Sequence, residues 1–300
     1  MFNFKSDIQF INYFRLFNFV SLILILISVG FIFYKGLNFG VDFKGGTLIE
    51  LRVENTEIGI GDVRQSFIKM NLGDVNVKKF GKGNDYLIKF EQTDKNKENF
   101  IENIKTQLSK NLGGSFSFRR VENVGPKVSG ELLKSGLIAI VLSLSAMLIY
   151  IWIRFEWQFS LGAIIALIHD VIITIGFFSI LEFEINLSIV AAVLTIVGYS
   201  MNDTVVIFDR VRENLKKYSS KSINEISNLS INETLSRTII TSSTTLLALL
   251  SIFFFGGKIL HGFSFAMILG VIFGTYSSIF IANPILIKLK VNQKSVLKGE

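Results

Sequence analysis

The sequence predicts a polytopic α-helical membrane protein with one extramembrane α+β domain. Of its 300 residues, 50% are hydrophobic, and the mean hydropathy is +0.49. The apolar residues are concentrated in blocks about 20 residues long, the length that crosses a bilayer as a helix. Six blocks are predicted to span the membrane: Phe17–Tyr34, Leu133–Ile153, Phe159–Leu181, Leu187–Phe208, Ile239–Phe255 and Phe263–Leu289.

The distribution of positive charge predicts how the chain is oriented. Thirteen Lys and Arg residues flank the predicted spans on one side, whereas the short loops on the other side contain only Lys258. Because short cytoplasmic segments are enriched in Lys and Arg, we expect both termini to be cytoplasmic and the large domain to lie outside. The net charge of +7 is then a consequence of topology, and no nucleic-acid partner is expected.

Four parts are predicted along the chain. They are residues 1–34 (N-terminus and first span), 35–132 (outer domain), 133–289 (five-span bundle with a cytoplasmic loop at 209–230) and 290–300 (cytoplasmic tail). The chain contains no Cys, which excludes disulfide bonds and thiolate metal ligands. We expect neither a cofactor nor a metal.

The outer domain has the periodicity of a small α+β fold. Alternating apolar positions predict strands at Thr47–Glu54, Val75–Phe80, Tyr86–Glu91 and Ser115–Val121, and helical spacing predicts helices at Asp62–Met70 and Lys97–Ser109. This βαββαβ order is typical of a ferredoxin-like sandwich. The paired glycines of Val41–Thr47, which reads V-D-F-K-G-G-T, predict a tight turn at the entrance to the domain.

Asp203 is the residue on which the functional prediction depends. Together with Asn202, it lies inside the apolar span Leu187–Phe208. An aspartate in such a span costs about 3 kcal/mol on insertion scales unless it has a partner or a water path. Since intramembrane charges are usually functional, Asp203 is a candidate proton-relay residue.

Arg237, on the returning fifth helix, is the predicted partner of Asp203. Ser230 and Glu233 have capping-box spacing, so we expect this helix to begin at Ser230 and Arg237 to lie at the depth of Asp203. Protonation of the acid would weaken the ion pair and free the helices, as a relay requires. A static ion pair that fixes helix packing is the alternative. A polar stripe that cannot face lipid would accompany the pair: Thr234, Thr238, Thr241 and Thr245.

A second ionisable pair, His169 and Asp170, lies in the third predicted span. A structural hydrogen bond and a proton-transfer step explain this pair equally well. An aspartyl protease dyad of Asp170 and Asp203 is disfavoured, because the Gly-x-Gly-Asp context is absent and Arg237 would oppose proton sharing. A metal hydrolase lacks ligands, since the other histidine, His261, is predicted in an outer loop. We therefore expect no enzyme.

The motifs and their order resemble the SecF family, and one span followed by a large outer domain and five spans resembles half of an RND-type transporter. The matching segments cover nearly the whole chain: Val41–Thr47, Val124–Pro126, Arg154–Trp157, His169-Asp170, Gly198–Arg210 with Arg212–Asn214, Arg237 with Thr244–Leu246, and Gly270–Pro284. The fourth-span segment is the most specific of these. Met201 occupies a position where the family often has Ile.

The resemblance implies a subunit that works with SecD and the SecYEG channel in the bacterial inner membrane, with its large domain in the periplasm. SecD and SecF use the proton gradient to complete the passage of a polypeptide that the SecA ATPase has driven in. In that family, the residues at the positions of Asp203 and Arg237 are linked to proton passage, and SecD supplies a further acid. The expected supporting residues are Asn202, Asp170, His169 and Thr241.

Two alternatives stay open. The chain is a purely structural subunit that stabilises a complex with SecD, or it is an RND-type proton-coupled exporter of small hydrophobic molecules. An exporter would need a deep apolar pocket in the outer domain. The residues also leave open whether protons or sodium ions drive the motion that would push the outer domain against an emerging polypeptide.

Overall fold

The computed structural model describes residues 8–55, 57–79, 83–91, 100–113 and 116–293. The chain forms two compact units, one of Met1–Asn38 with Gly136–Glu300 and one of Phe39–Ser135. A 3-10 turn, Phe10–Tyr13, leads into the first long helix, α1, Phe14–Lys35.

The second unit contains a short helix α2, Val41–Lys44, and alternating strands and helices. These are β1, Gly46–Val53; α3, Ile60–Ile68; β2, Val75–Lys79; β3, Asp85–Phe90; α4, Phe100–Leu112; and β4, Phe116–Val124. The described strands pair antiparallel in the order β2-β3-β1-β4, which is the ferredoxin-like arrangement that the sequence predicts. Of the segment Lys97–Ser109, residues 97–99 lie outside the described part.

The core of this unit lies between one face of the sheet and the two helices. Ile49 and Ile88 from the sheet and Phe67 and Leu108 from the helices are completely buried there. The paired glycines follow α2, and β1 begins at the second of them, Gly46, where φ is +107°. A Cβ atom at Gly46 would lie 2.7 Å from the Phe90 backbone oxygen, so only glycine fits here.

The remaining helices are α5, Pro126–Arg154; α6, Trp157–Leu181; α7, Leu187–Lys217; α8, Ile223–Phe255; and α9, Lys258–Ser277, which continues through a π-helical segment, Ser278–Ala282, into α10, Asn283–Lys288. With α1, they supply six segments, within the described residues, that are long and apolar enough to cross a membrane. The prediction of six spans is confirmed.

Two helix boundaries differ from the sequence prediction. The capping box of α8 is formed by Ser222 and Glu225 rather than by Ser230 and Glu233, so the helix begins at Ile223. Between α7 and α8, only residues 218–222 are non-helical, in place of the predicted loop at 209–230. An apolar run in the sequence indicates only the part of a helix that crosses the bilayer. Both helices continue past that part because charged residues on α7 and α8 pair with each other.

Close packing of α9 against α7 depends on two glycines. A Cβ atom at Gly270 would lie 2.3 Å from Ile196, and one at Gly274 would lie 2.8 Å from the Cβ of Ser200. Such approaches are possible only where a side chain is missing. The two glycines therefore form a small-residue face of α9, and this face brings the polar residues of α7 and α9 together.

Candidate functional site

Asp203 lies on α7, inside the bundle. Its carboxylate is buried, with 4% of the residue exposed. Ser242 Oγ on α8 and Thr275 Oγ1 on α9 lie 3.4 and 3.3 Å from Oδ2, and the two hydroxyls are hydrogen-bonded to each other at 2.6 Å, so one of them donates to the carboxylate at a time. The aspartate thus points toward protein rather than lipid, as an acid in a membrane helix requires.

Arg237 does not form the predicted ion pair with Asp203. Among the described residues, no ion pair within 4 Å involves the Arg237 guanidinium. Its charge nonetheless lies near enough to act on the Asp203 carboxylate electrostatically. The direct partners of the acid are therefore hydroxyl groups, and the cation is a more distant neighbour.

The antiparallel register of α7 and α8 explains this separation. It is fixed by hydrogen bonds that join Tyr199 to Thr245, Asp203 to Ser242, Arg210 to Glu233, and Asn214 to Ser230. In this register, Arg237 lies opposite Ile207, one helical turn or ~6 Å along the axis from Asp203. The long side chain of an arginine spans such a distance with a change of rotamer.

The other predicted residues of this site lie around it without touching the carboxylate. Asn202 is exposed on α7, and Arg237 is exposed on α8. The Thr241 hydroxyl donates to the backbone of its own helix, at 3.0 Å from the carbonyl oxygens of Arg237 and Thr238. Thr234 and Thr238 are buried, and Thr241 and Thr245 are half-buried, so the predicted polar stripe faces the protein.

Asp170 forms a second, tighter site. It is completely buried on α6. The Nδ1 atom of His169 lies 2.8 Å from its Oδ1, while Ser200 of α7 and Ser277 of α9 donate to Oδ2 at 2.7 and 2.8 Å. The carboxyl group therefore ties three helices together through short bonds.

His169 extends this network toward α1. Its ring stacks on Tyr276 with centroids 5.9 Å apart, and the Tyr276 hydroxyl donates to the backbone oxygen of Phe17 at 2.6 Å. The Nε2 atom of His169 is buried and has no hydrogen-bond partner in the described part of the chain. A ring nitrogen of this kind accepts a hydrogen bond in one tautomer and donates one in the other.

The two acids are linked through the last span. Thr275 and Ser277, two residues apart on α9, bind Asp203 and Asp170 respectively. The helix changes to π-helical geometry directly afterwards, at Ser278, and such irregular turns often accompany functional sites. A displacement of this part of α9 would change the hydrogen bonds of both carboxyl groups.

Five residues of these networks were not among the predicted site residues: Ser200, Ser242, Thr275, Tyr276 and Ser277. The spacing held a signal for one of them, because Ser242 follows Thr238 by four residues. The other four are recognisable only once α6, α7 and α9 are seen to meet.

Ion pairs continue along the bundle beyond the acids. Arg210 Nε lies 2.7 Å from Glu233 Oε2, which also accepts a hydrogen bond from Asn214 at 2.7 Å. Arg154 pairs with Asp209 at 3.5 Å, and Arg212 pairs with Glu156 at 3.6 Å. The charged motifs after the second and fourth spans are thus brought together in space.

Comparison with known proteins identifies the origin of these motifs. A family model described as the C-terminal part of the protein export membrane proteins SecD/SecF matches residues 104–292, and one described as the SecD/SecF GG motif matches residues 30–57. Protein translocase subunit SecF of Rickettsia bellii is 49% identical over 283 residues, which are 94% of this chain and 93% of that protein. The chain belongs to the SecF family.

A second SecF relative is similar over nearly the whole length of the chain. The SecF subunit of Rickettsia prowazekii is 46% identical over 302 residues, covering 99% of this chain and 96% of that protein. These relatives are named as translocase subunits, a transport component. A GG motif followed along the chain by a five-span bundle is therefore the organisation of a SecF-family protein.

Solved structures of SecDF share the fold. The crystal structure of SecDF from Thermus thermophilus, described as a translocon-associated membrane protein, matches with a TM-score of 0.86 and 32% identity. A crystal structure of SecDF in a super-membrane-facing form matches with a TM-score of 0.71. Each match covers 97% of this SecF-family chain, which spans only 40% of the length of the SecDF chain.

Proposed function

We propose that this SecF-family chain works with SecD and the SecYEG channel to complete polypeptide translocation across the bacterial inner membrane after the SecA-driven step, using the proton-motive force. Its termini would be cytoplasmic and its outer domain periplasmic. Within this chain, Asp203 would take up and release the proton, and Arg237 would stabilise the ionised form. His169 and Asp170 would hold α6, α7 and α9 in position around this step.

The observation that carries this proposal is the environment of Asp203. Its carboxyl group is buried in the bundle, and its hydrogen-bond partners among the described residues are two hydroxyl groups at the long distances of 3.3 and 3.4 Å. A hydroxyl donates to a carboxylate and accepts from a carboxylic acid, so the site suits both protonation states. With Arg237 one turn away, a small movement would join or separate the charges.

A conformational change would couple the proton to the polypeptide. One of the two SecDF crystal structures is described as a super-membrane-facing form, and the two match this chain with different TM-scores, 0.71 for that form and 0.86 for the other. We infer that protonation of Asp203 biases a similar pair of arrangements here, and that the outer domain moves with it. The bound polypeptide would be an unfolded client.

The test compares Asp203→Asn with Asp209→Asn, a control on the same helix whose acid is partly exposed and pairs with Arg154. Both variants are assembled with SecD and the channel in proteoliposomes. We expect Asp203→Asn to lose export that depends on a proton gradient while it co-purifies normally with SecD, and Asp209→Asn to keep both properties. Normal late-stage export by Asp203→Asn would exclude a proton role for this residue.

The same experiment addresses a purely structural role. If Asp203→Asn lowers the yield of the complex with SecD and the remaining complex exports normally, the chain is an assembly subunit. Repeating the assay with a sodium gradient in place of the proton gradient separates the two coupling ions.

The proposed orientation can be tested directly because the chain contains no Cys. Single cysteines are introduced at Ser109 in the outer domain and at Ser219 between α7 and α8, both of which are exposed. In intact cells, a membrane-impermeant maleimide should label Ser109→Cys from the periplasm and should label Ser219→Cys only after lysis. The reverse pattern would contradict the assigned orientation.

A small-molecule exporter is less well supported. A cavity of about 390 Å³ in the outer domain is lined by Lys44, Asp74, Lys89 and Glu91 as well as by Phe90 and the paired glycines. Hydrophobic ligands prefer pockets with predominantly apolar walls, and four charged side chains do not provide such a wall.

A further inference from the structure

A basic pocket lies at one end of the helical bundle, where α7 ends, α8 begins and α10 ends. Its volume is about 530 Å³. Among its lining residues are Tyr218, Ser219, Lys221 and Lys290, and none of the described residues that line it is Asp or Glu. Asp203 and its hydrogen-bond partners are not among the residues that line the pocket, and the inference does not depend on the proposed function.

Positive charge is concentrated at this pocket. The Nζ atoms of Lys217 and Lys221 lie 5.1 and 4.4 Å from the centre of the Tyr218 ring. One aromatic ring thus attracts two ammonium groups that repel each other. Within the described residues, neither these lysines nor Lys290 has a carboxylate partner within 4 Å. An anion placed among the three lysines would relieve their repulsion.

The neighbouring acid Glu225 is already engaged. Its Oε2 atom accepts from the Ser222 backbone amide at 2.8 Å and from the Ser222 hydroxyl at 2.9 Å, as part of the helix cap. Glu233, whose carboxylate acts electrostatically on Lys217, is likewise already paired with Arg210. Two carboxylates offset at most two of the three positive charges. The pocket therefore keeps a net positive charge and a hydroxyl donor, Ser219, both of which suit a phosphate group.

The length of α7 brings this pocket to the membrane surface. A helix of 31 residues is ~46 Å long, close to the ~40–45 Å thickness of a bilayer with its headgroups. The last turn of α7 is therefore within reach of lipid phosphates at this surface. Basic pockets between helices at this level are known to bind anionic headgroups.

We propose that the pocket binds a phosphate group through Lys221 and Lys290, carried either by an anionic lipid headgroup or by a soluble anion. Lys217 and Ser219 lie beside them and complete the anion-binding surface. The ligand would hold the loop between α7 and α8 against the end of α10.

The test uses the purified full-length chain in a zwitterionic detergent and isothermal titration calorimetry. Dioctanoyl phosphatidylglycerol, dioctanoyl phosphatidylcholine and inorganic phosphate are titrated separately. The test variant is Lys221→Gln/Lys290→Gln, and the control is Lys216→Gln/Lys288→Gln, which removes two lysines at the same end of the bundle but outside the pocket lining. A charge-conserving variant, Lys221→Arg/Lys290→Arg, reports on folding independently of charge.

We expect the test variant to weaken binding of phosphatidylglycerol or of inorganic phosphate by about tenfold or more, with the control and the arginine variant within about threefold of wild type. Binding of phosphatidylglycerol without binding of inorganic phosphate would identify a lipid ligand. Binding of inorganic phosphate would identify a soluble one. Equal weakening in the test and control pairs would reduce the effect to general surface charge and overturn the proposal. If the wild-type chain binds neither phosphatidylglycerol nor inorganic phosphate, the proposal is overturned as well.

Discussion

Asp170 and Asp203 are two buried carboxyl groups in one bundle, yet they are held very differently. Asp170 has three partners at 2.7–2.8 Å, from His169, Ser200 and Ser277. Asp203 has two partners at 3.3 and 3.4 Å, both outside the usual range for O–H···O bonds. One acid is fixed by its neighbours, and the other is only loosely constrained.

The difference distinguishes a carboxyl group suited to fixing helix packing from one suited to a switch. Breaking a short, buried network leaves several polar groups unsatisfied and is costly, so Asp170 stabilises one helix arrangement. An acid with long bonds loses little when it is protonated or when a helix moves, so Asp203 suits a switch. Burial alone does not distinguish the two, because both residues are inaccessible.

The largest effect is expected from Gly274→Val, which acts on the packing that supports both sites. The added side chain would collide with Ser200 and push α9 from α7, separating Ser277 from Asp170 and Thr275 from Asp203. We expect a loss of about 3 kcal/mol in the free energy of unfolding, measured in mixed micelles with increasing dodecyl sulfate. Gly198→Val is the matched control, because no atom lies within 4 Å of a Cβ there.

Replacing the two acids by alanine should sharpen the comparison. We expect Asp170→Ala to lower the free energy of unfolding by about 3 kcal/mol, because Ser200, Ser277 and His169 lose their common partner. Asp203→Ala should cost about 1 kcal/mol or less, since its bonds are long. The same micelle titration measures both variants, and equal losses would contradict the distinction between a fixed and a loosely held acid.

Removing single hydroxyl groups should also destabilise the Asp170 site more than the Asp203 site, with smaller losses in the free energy of unfolding. Ser200→Ala removes a 2.7 Å bond to a buried carboxylate and should cost about 1.5 kcal/mol. Ser242→Ala removes a 3.4 Å contact with Asp203 and a 2.6 Å bond between two neutral hydroxyl groups, Ser242 and Thr275, and should cost about 1 kcal/mol. If the variants reverse this order in chemical unfolding, a short bond to the buried carboxylate is not the stronger of these interactions.

The smallest effect is expected at Asn202, beside the loosely held acid. Its side chain is exposed on α7, so Asn202→Ala should change the free energy of unfolding by less than about 0.5 kcal/mol. Proton-dependent export in proteoliposomes should stay at the wild-type rate. If Asn202→Ala strongly reduces export while stability stays normal, Asn202 takes part in the proposed relay.

Much of the fold was predictable because its signals are local. Each span is a continuous apolar run, and each strand of the outer domain alternates, so hydrophobic periodicity alone leads to six spans and a βαββαβ domain. The helix ends were less predictable. In the sequence, Arg210 falls in the predicted loop at 209–230 and Glu233 falls in the first turn predicted for the fifth helix, but the two residues pair with each other and lie within two long helices.

The sequence by itself determined the class of protein, the family motifs and the presence of acids in the apolar spans, since these follow from the order of residues along the chain. Only the tertiary structure decided what each acid contacts. Ser242 and Thr275, the partners of Asp203, lie 39 and 72 residues away along the chain. They reach it because two glycines let α9 approach α7 and because the register of α8 places a serine, rather than Arg237, at the level of the carboxylate.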